Sequence, residues 1–161
     1  MKIRQANMGD LDAIVAIEQA NFSPEEAISR EVLAQHIEKN VSSFLVSEEN
    51  GQLLGYLEGP VVPWRHLDDS SFEQVEDFSQ EPGGYISITS LSISPQAQSA
   101  GLGRALLEQM KEIARRDGRA GINLTCHDYL IGYYEKNGFV NEGLSKSTYA
   151  GEIWYDLVWD V

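Results

Sequence analysis

Apolar residues recur along this chain in two rhythms, one helical and one alternating. Behind Asp10, a residue suited to an N-cap, Leu11, Ile14, Val15 and Ile17 fall at helical spacing. Phe22-Ser23-Pro24-Glu25-Glu26 interrupts that rhythm. Ser29 is then placed to cap a second helix whose inner face carries Val32, Leu33 and Ile37. Before the first helix, Ile3 to Ala6 reads as a short strand. After the second, Phe44-Leu45-Val46 and Leu53 to Leu57 flank Glu49-Asn50-Gly51, and Asn-Gly between two apolar runs predicts a hairpin.

From Pro60 to Gly84 the rhythm is lost. This stretch holds His66 and the acids Asp68, Asp69, Glu73, Glu76, Asp77 and Glu81, and is too long for a plain connection. It reads either as a binding loop or as an acidic surface loop, with room for a short helix around 72–78. Tyr85 to Ile93 alternates again, but the phase slips between Ile88 and Leu91, which predicts a β-bulge near Thr89 or Ser90. Leu102, Ala105, Leu106, Met110 and Ile113 mark a helix from Gly101 to Arg116, ended by Asp117-Gly118. A strand over 122–126 follows. A short helix over 129–136 stops at Asn137-Gly138. Last come strands at Phe139-Val140 and 153–159. This order predicts a single mixed α/β domain over residues 1–161. Its centre is one twisted, mostly antiparallel sheet of about six or seven strands, flanked by about four helices and splayed at Thr89-Ser90.

Composition narrows the function. The net charge of −13 argues against nucleic acid, whose binding rests on cationic side chains, and allows a cationic small molecule. No run approaches a membrane span and no apolar leader opens the chain, so a cytoplasmic protein without membrane contact is expected. The lone Cys126 forms no internal disulfide, and no metal-ligand spacing is present.

The chemistry concentrates at Gln98-Ser99-Ala100-Gly101-Leu102-Gly103-Arg104, where a strand turns into a long helix. A helix start offers unpaired N–H groups and the positive end of the helix dipole. Two nearby glycines let the backbone approach a ligand, and Arg104 adds positive charge. The turn suits a pyrophosphate, but it lacks the Gly-Lys-Ser/Thr ending of a P-loop and the third glycine of the dinucleotide fingerprint. An ordinary strand-to-helix turn needs glycine too. About 30 residues downstream, Tyr134-Glu135-Lys136-Asn137-Gly138-Phe139 supplies Tyr-x-x-x-Gly-Phe. Together, in this order and spacing, the two motifs resemble the GNAT superfamily of acyl-CoA-dependent N-acetyltransferases. Phe22 to Ala27 and Cys126-His127-Asp128 ahead of Tyr133-Tyr134 look closest to its arylalkylamine branch. Ser87-Ile88-Thr89, however, stands on the strand where the animal enzymes of that branch carry two histidines.

The resemblance implies acetyl-CoA as cosubstrate. The backbone around Leu91, Ser92 and Ile93 would pair with the pantetheine arm, the amides from Ser99 to Arg104 would hold the pyrophosphate, and His127 would lie beside the cofactor. Tyr134 would protonate the departing thiolate. An amine would attack the thioester directly, without an acyl-enzyme. Glu58, an acid interrupting an apolar strand, is the first candidate for the base, followed by His127 and His66. Phe22, Glu26, Ser87 and Thr89 are expected on the acceptor side, with the 60–84 loop and the aromatic C-terminal segment (Trp154, Tyr155, Trp159). Acids beside aromatic rings suit an organic cation, hence a small amine or polyamine; a peptide amine and a non-catalytic acyl-CoA-binding module are the alternatives. Exposed C-terminal strands suit a homodimer.

Overall fold

A computed structural model describes residues 1–74, 78–98 and 101–161. Its frame is two sheets that share one long segment. The first runs β1 (Lys2–Gln5), β2 (Phe44–Glu49), β3 (Gln52–Glu58) and β6 (Ser90–Ile93), antiparallel throughout. The second runs β4 (Val61–Val62), β5 (Tyr85–Ile88), β7 (Gly121–Cys126), β9 (Tyr155–Asp160) and β8 (Val140–Leu144), with β5 and β7 parallel. The helices are α1 (Leu11–Asn21), α2 (Arg30–Lys39), the single turn α3 (Ser70–Glu73), α4 (Leu102–Arg116) and α5 (Ile131–Lys136). Among the described residues, no helix is long and apolar enough to cross a membrane.

Period-two alternation on β2 and β3 builds a core on each face of the first sheet. Phe44, Val46 and Tyr56 pack with Ile14 and Ile17 of α1 and Leu33 and Ile37 of α2. Leu45 and Leu57 point the other way, into a core with Leu106, Leu107 and Met110 of α4, Ile86 and Ile88 of β5, and Leu124 of β7. The hairpin turn carries Asn50 at φ 52° and Gly51 at φ 78°, the positive pair that a tight two-residue turn requires.

Local expectations meet the structure unevenly. Ser29 caps α2, accepting from Val32 N–H at 3.2 Å. Asp10 does not cap α1, because its carboxylate is taken by the Asn7 N–H at 2.9 Å and by Arg4 at 2.8 Å. Entry to α1 is instead a 3-10 turn opened by a capping box between Asn7 and Asp10. The expected helix over 72–78 is the earlier turn α3; positions 75–77 lie outside the described residues. The described residues form nine strands, where six or seven were expected. The 85–93 segment counts as two, and β4 had no alternating pattern to announce it in the 60–84 stretch.

The predicted slip is where the sheets part. Residues 85–88 pair with β7, residues 90–93 pair with β3, and Thr89 between them donates its N–H to Glu58 O at 2.9 Å. Beyond Leu124, β7 continues through Thr125 and Cys126 with no β5 partner, so a wedge opens between β6 and β7. Its closed end is held by Gly59, where a Cβ would come within 1.7 Å of Ser87 O. The variant Gly59→Ala must force these backbones apart. It is expected to lose at least about 2 kcal/mol, a fall in Tm of at least about 4 °C by thermal denaturation.

Candidate active site

Two cavities meet in this wedge. One is a groove of about 560 Å3 lined by Leu91 and Ile93 of β6, by Gln98, by Gly101 to Arg104 at the start of α4, and by Tyr133 and Tyr134 of α5. The other, about 160 Å3, lies between Thr89-Ser90-Leu91 on one side and Leu124-Thr125-Cys126 on the other, and is completed by Glu18, Glu26, Phe72, His127, Tyr149 and Trp154. Phe22, Leu91 and Tyr134 line both.

The groove fits an anion at one end. Gly101 sits at φ 76°, a left-handed conformation that glycine takes without a Cβ penalty, and no side chain caps the first turn of α4. No acid stands in that turn, while Arg104 lines the groove. Among the described residues no side chain caps the first N–H groups of α4, and a Cβ added to Gly101 would meet nothing within 4 Å, so the approach beside that turn is open. Gly103 is needed for another reason. Its missing Cβ leaves room for the Tyr133 hydroxyl, which would lie 2.3 Å from it. Ser99 and Ala100, the other residues of the predicted cradle, lie outside the described residues. On β6 the alternation sends Leu91 and Ile93 to the groove and Ser92 to the opposite face, where its Oγ accepts from Asn21 Nδ2 at 2.7 Å. The Ser92 side chain is thus no part of the groove wall.

Of the two adjacent tyrosines, Tyr134 is the buried one and the one that reaches both cavities. Burial pushes its phenol well above the usual tyrosine range, so it stays protonated. Among the described residues its hydroxyl has no hydrogen-bond partner. Burial also pushes the Cys126 thiol up to about 12, helped by Asp128, which leaves no thiolate for nucleophilic work.

The smaller cavity is aromatic and acidic. Phe72 stacks on Tyr149 at 4.1 Å between centroids, and His127 stacks on Trp154 at 4.2 Å. His127 Nε2 lies 3.0 Å from Glu26 Oε1, and the Tyr149 hydroxyl donates to Glu26 O at 3.1 Å. His127 therefore lines the smaller cavity and not the groove, although the sequence placed it beside the cofactor. Asp69 ties the 60–84 loop to this wall by accepting from the Ser147 hydroxyl and, at 3.2 Å, from Thr148 N–H.

Several expected residues lie elsewhere. Glu58 is fully buried and does not line either cavity; its carboxylate accepts from Thr89 Oγ1 at 2.5 Å and meets His36 Nδ1 at 2.7 Å. It reaches the cavity only through Thr89, which does line it. Ser87 points to the opposite sheet face and donates to Asn123 Oδ1 at 2.5 Å, because the bulge reverses the phase only after Ile88. His66 is engaged at the surface with Glu142 at 2.7 Å, outside both cavities. Of the C-terminal aromatics only Trp154 joins the cavity, and Trp159 instead lies under Lys111 and Arg115. The sequence named neither Glu18 nor Tyr149 for the site, and reached Phe72 only as part of the 60–84 loop. Glu18 carried a signal, a carboxylate in phase with Ile14 and Ile17 on the inner face of α1; Tyr149 sits in a loop with none.

An uncapped helix start and a buried tyrosine, joined across a splayed strand, form the geometry that the two motifs imply. The sequence matches the model of the acetyltransferase (GNAT) family over residues 11–139. The chain belongs to this family. Acetyl-CoA is accordingly its cosubstrate, and its chemistry is acyl-CoA-dependent acetyl transfer. No curated protein matches the chain in sequence. Solved structures similar in fold include a GphF GNAT-like decarboxylase in complex with isobutyryl-CoA (TM-score 0.83, 19% identity, 99% of each chain). The loading GNATL domain of CurA from Lyngbya majuscula is similar too (TM-score 0.83, 16% identity, 99% of this chain and 96% of that one). So is a ribosomal-protein-alanine N-acetyltransferase from Brucella melitensis (TM-score 0.70, 22% identity, 100% of both chains). This GNAT chain shares their fold.

The groove generates one direct expectation. Gly101→Ala must hold an alanine at φ 76°, at a cost of about 1–2 kcal/mol, or abandon the turn. Equilibrium titration with CoA should show weaker binding than in the unaltered chain, with a modest loss of thermal stability.

Proposed function

We propose that this chain transfers the acetyl group of acetyl-CoA to the primary amine of a small organic cation. One observation carries the reading: the groove that starts at the uncapped helix meets, at Tyr134 and Leu91, a cavity walled by aromatic rings and two carboxylates. No Lys or Arg is among the described residues lining that cavity. An ammonium is favoured there by charge and by ring faces. The volume, about 160 Å3, is below the roughly 300–1,000 Å3 of drug-sized ligand sites, so it suits a compact amine or one arm of a polyamine better than a peptide terminus.

The thioester would enter the wedge from the groove, with the pyrophosphate on the first turn of α4 and Arg104. The amine must first lose a proton. An alkylamine with a reference pKa near 10.4 costs about 4.6 kcal/mol to deprotonate at pH 7. Its lone pair then attacks the thioester carbon; the C–N bond forms as the C–S bond breaks. Tyr134, protonated and placed at the junction, gives a proton to the departing thiolate. Thr89 has its own hydrogen engaged by Glu58, so its oxygen presents only lone pairs to the cavity and can accept from the ammonium or a water. In this reading Glu58 and His36 hold Thr89 in place and do not touch the amine.

A second reading follows from the likeness to a decarboxylase: removal of a carboxylate from a carboxyacyl-CoA. The acidic lining weighs against it, since a substrate carboxylate would lie beside Glu18 and Glu26 without a cation to offset them. One assay separates the readings. Acetyl-CoA with monoamines, polyamines, amino sugars and short peptides should release CoA with compact amines. Carbon dioxide from malonyl-type thioesters in the absence of any amine would support decarboxylation, and tight CoA binding with no turnover would support a binding module. Tyr134→Phe should lower kcat more than it raises the acetyl-CoA KM; unchanged kcat removes Tyr134 from the chemistry.

A further inference from the structure

Glu18 is an uncommon group for the inner face of a helix. It lies on α1 with 2% of its surface exposed, and that remaining surface lines the acceptor cavity. Its Oε1 accepts from the Tyr56 hydroxyl and, at 2.7 Å, from Ser90 Oγ. Its Oε2 accepts from Ile28 N–H at 3.0 Å. A carboxylate has about four acceptor sites, so these three donors leave roughly one unfilled, on Oε2. None of the three is a cation, and no described Lys, Arg or His forms an ion pair with Glu18. A buried carboxylate normally has a cationic partner or gives up its charge. Here an acceptor site is left over on a residue that lines a cavity with no Lys or Arg among its described lining residues.

We infer that Glu18 is the proton acceptor for the attacking amine: the substrate ammonium supplies the missing cation, hydrogen-bonds to the free site on Glu18, and gives it one proton before attack. This rests on the amine-transfer reading above and names the base that reading leaves open. The proton balance is complete. The ammonium loses its first proton to Glu18. The nitrogen loses a second to water as the C–N bond forms. The thiolate gains one from Tyr134, which is reprotonated from water, and Glu18 releases its proton to solvent, so one proton is set free per turnover.

The surroundings tune this group in the direction a base needs. Burial raises the Glu18 carboxyl above the ordinary range, opposed by Ile28, Tyr56 and Ser90, and the Glu58 carboxylate on β3 raises it further. From the 145–154 loop, the Tyr149 phenol also senses Glu18 and is itself pushed up to about 12, chiefly by burial, so it stays neutral across the working range. The working form is the carboxylate, and activity should fall as pH drops through the Glu18 pKa.

Ser90→Ala tests the assignment with little change in shape. Losing one donor to Oε1 makes the carboxylate harder to form, so the acidic limb of kcat/KM against pH should move up by about one unit. Glu18→Gln keeps the shape and should cost on the order of 100-fold or more in kcat/KM for the amine, with CoA affinity unchanged. Thermal melts check that both fold. If the unaltered chain acetylates amines and Ser90→Ala folds with its acidic limb in place, Glu18 is not the base while acetyl transfer stands. If the unaltered chain binds acetyl-CoA and acetylates no amine at any pH, the transfer reading falls and this assignment falls with it.

Discussion

The structure turns on the backbone at Thr89. Backbone N–H and C=O groups need partners, and a strand satisfies them by pairing along its whole edge. Residues 85–93 satisfy theirs with two different sheets, β7 before Thr89 and β3 after it. Without that exchange β6 and β7 would close on each other and no wedge would exist. With it, the helix that follows β6 starts at the mouth of the wedge, and α5 brings Tyr134 to its apex. Groove, cavity and junction all follow from one residue's change of partner.

Much of this was legible because it is local. The exchange at Thr89 showed as a slip of phase between Ile88 and Leu91. The cradle showed as a glycine pair before a helix, and Tyr134 as a tyrosine at fixed distance from Gly138-Phe139. The family match confirms what those motifs together implied. What the sequence hid is long-range. Glu58 and Ser87 alternate correctly on their strands, but facing depends on what covers each side: α2 brings His36 over Glu58, and Asn123 meets Ser87 on the face that Trp64 and Arg65 cover. His127, just past a strand, could have turned toward either cavity until Trp154 and Glu26 fixed it. Phe72 comes from the single turn α3 and Tyr149 from a loop, both too short for a period to mark the inward position.

Charge works at two scales here. The chain carries 25 acidic and 12 basic side chains, yet its cosubstrate is an anion. Screening confines each charge to about 8 Å at physiological salt, so the groove answers to its own neighbours: an acid-free first turn, the helix dipole and Arg104. The smaller cavity answers to Glu18 and Glu26. The two signs are thus sorted into adjoining spaces.

The wall of the smaller cavity is assembled from pieces far apart in the chain: Glu26 from the segment after α1, Phe72 from α3, and Tyr149 and Trp154 from the approach to β9. These pieces hold one another through ring stacking and a few hydrogen bonds, among them Tyr149 to the carbonyl of Glu26 and Asp69 to Thr148. The groove draws mainly on β6, α4 and α5, with Asn21 and Phe22 at the end of α1. Mutational drift can therefore reshape the wall, loop by loop, while the other half of the molecule keeps its form. A lineage built this way can change its diet without changing its fuel.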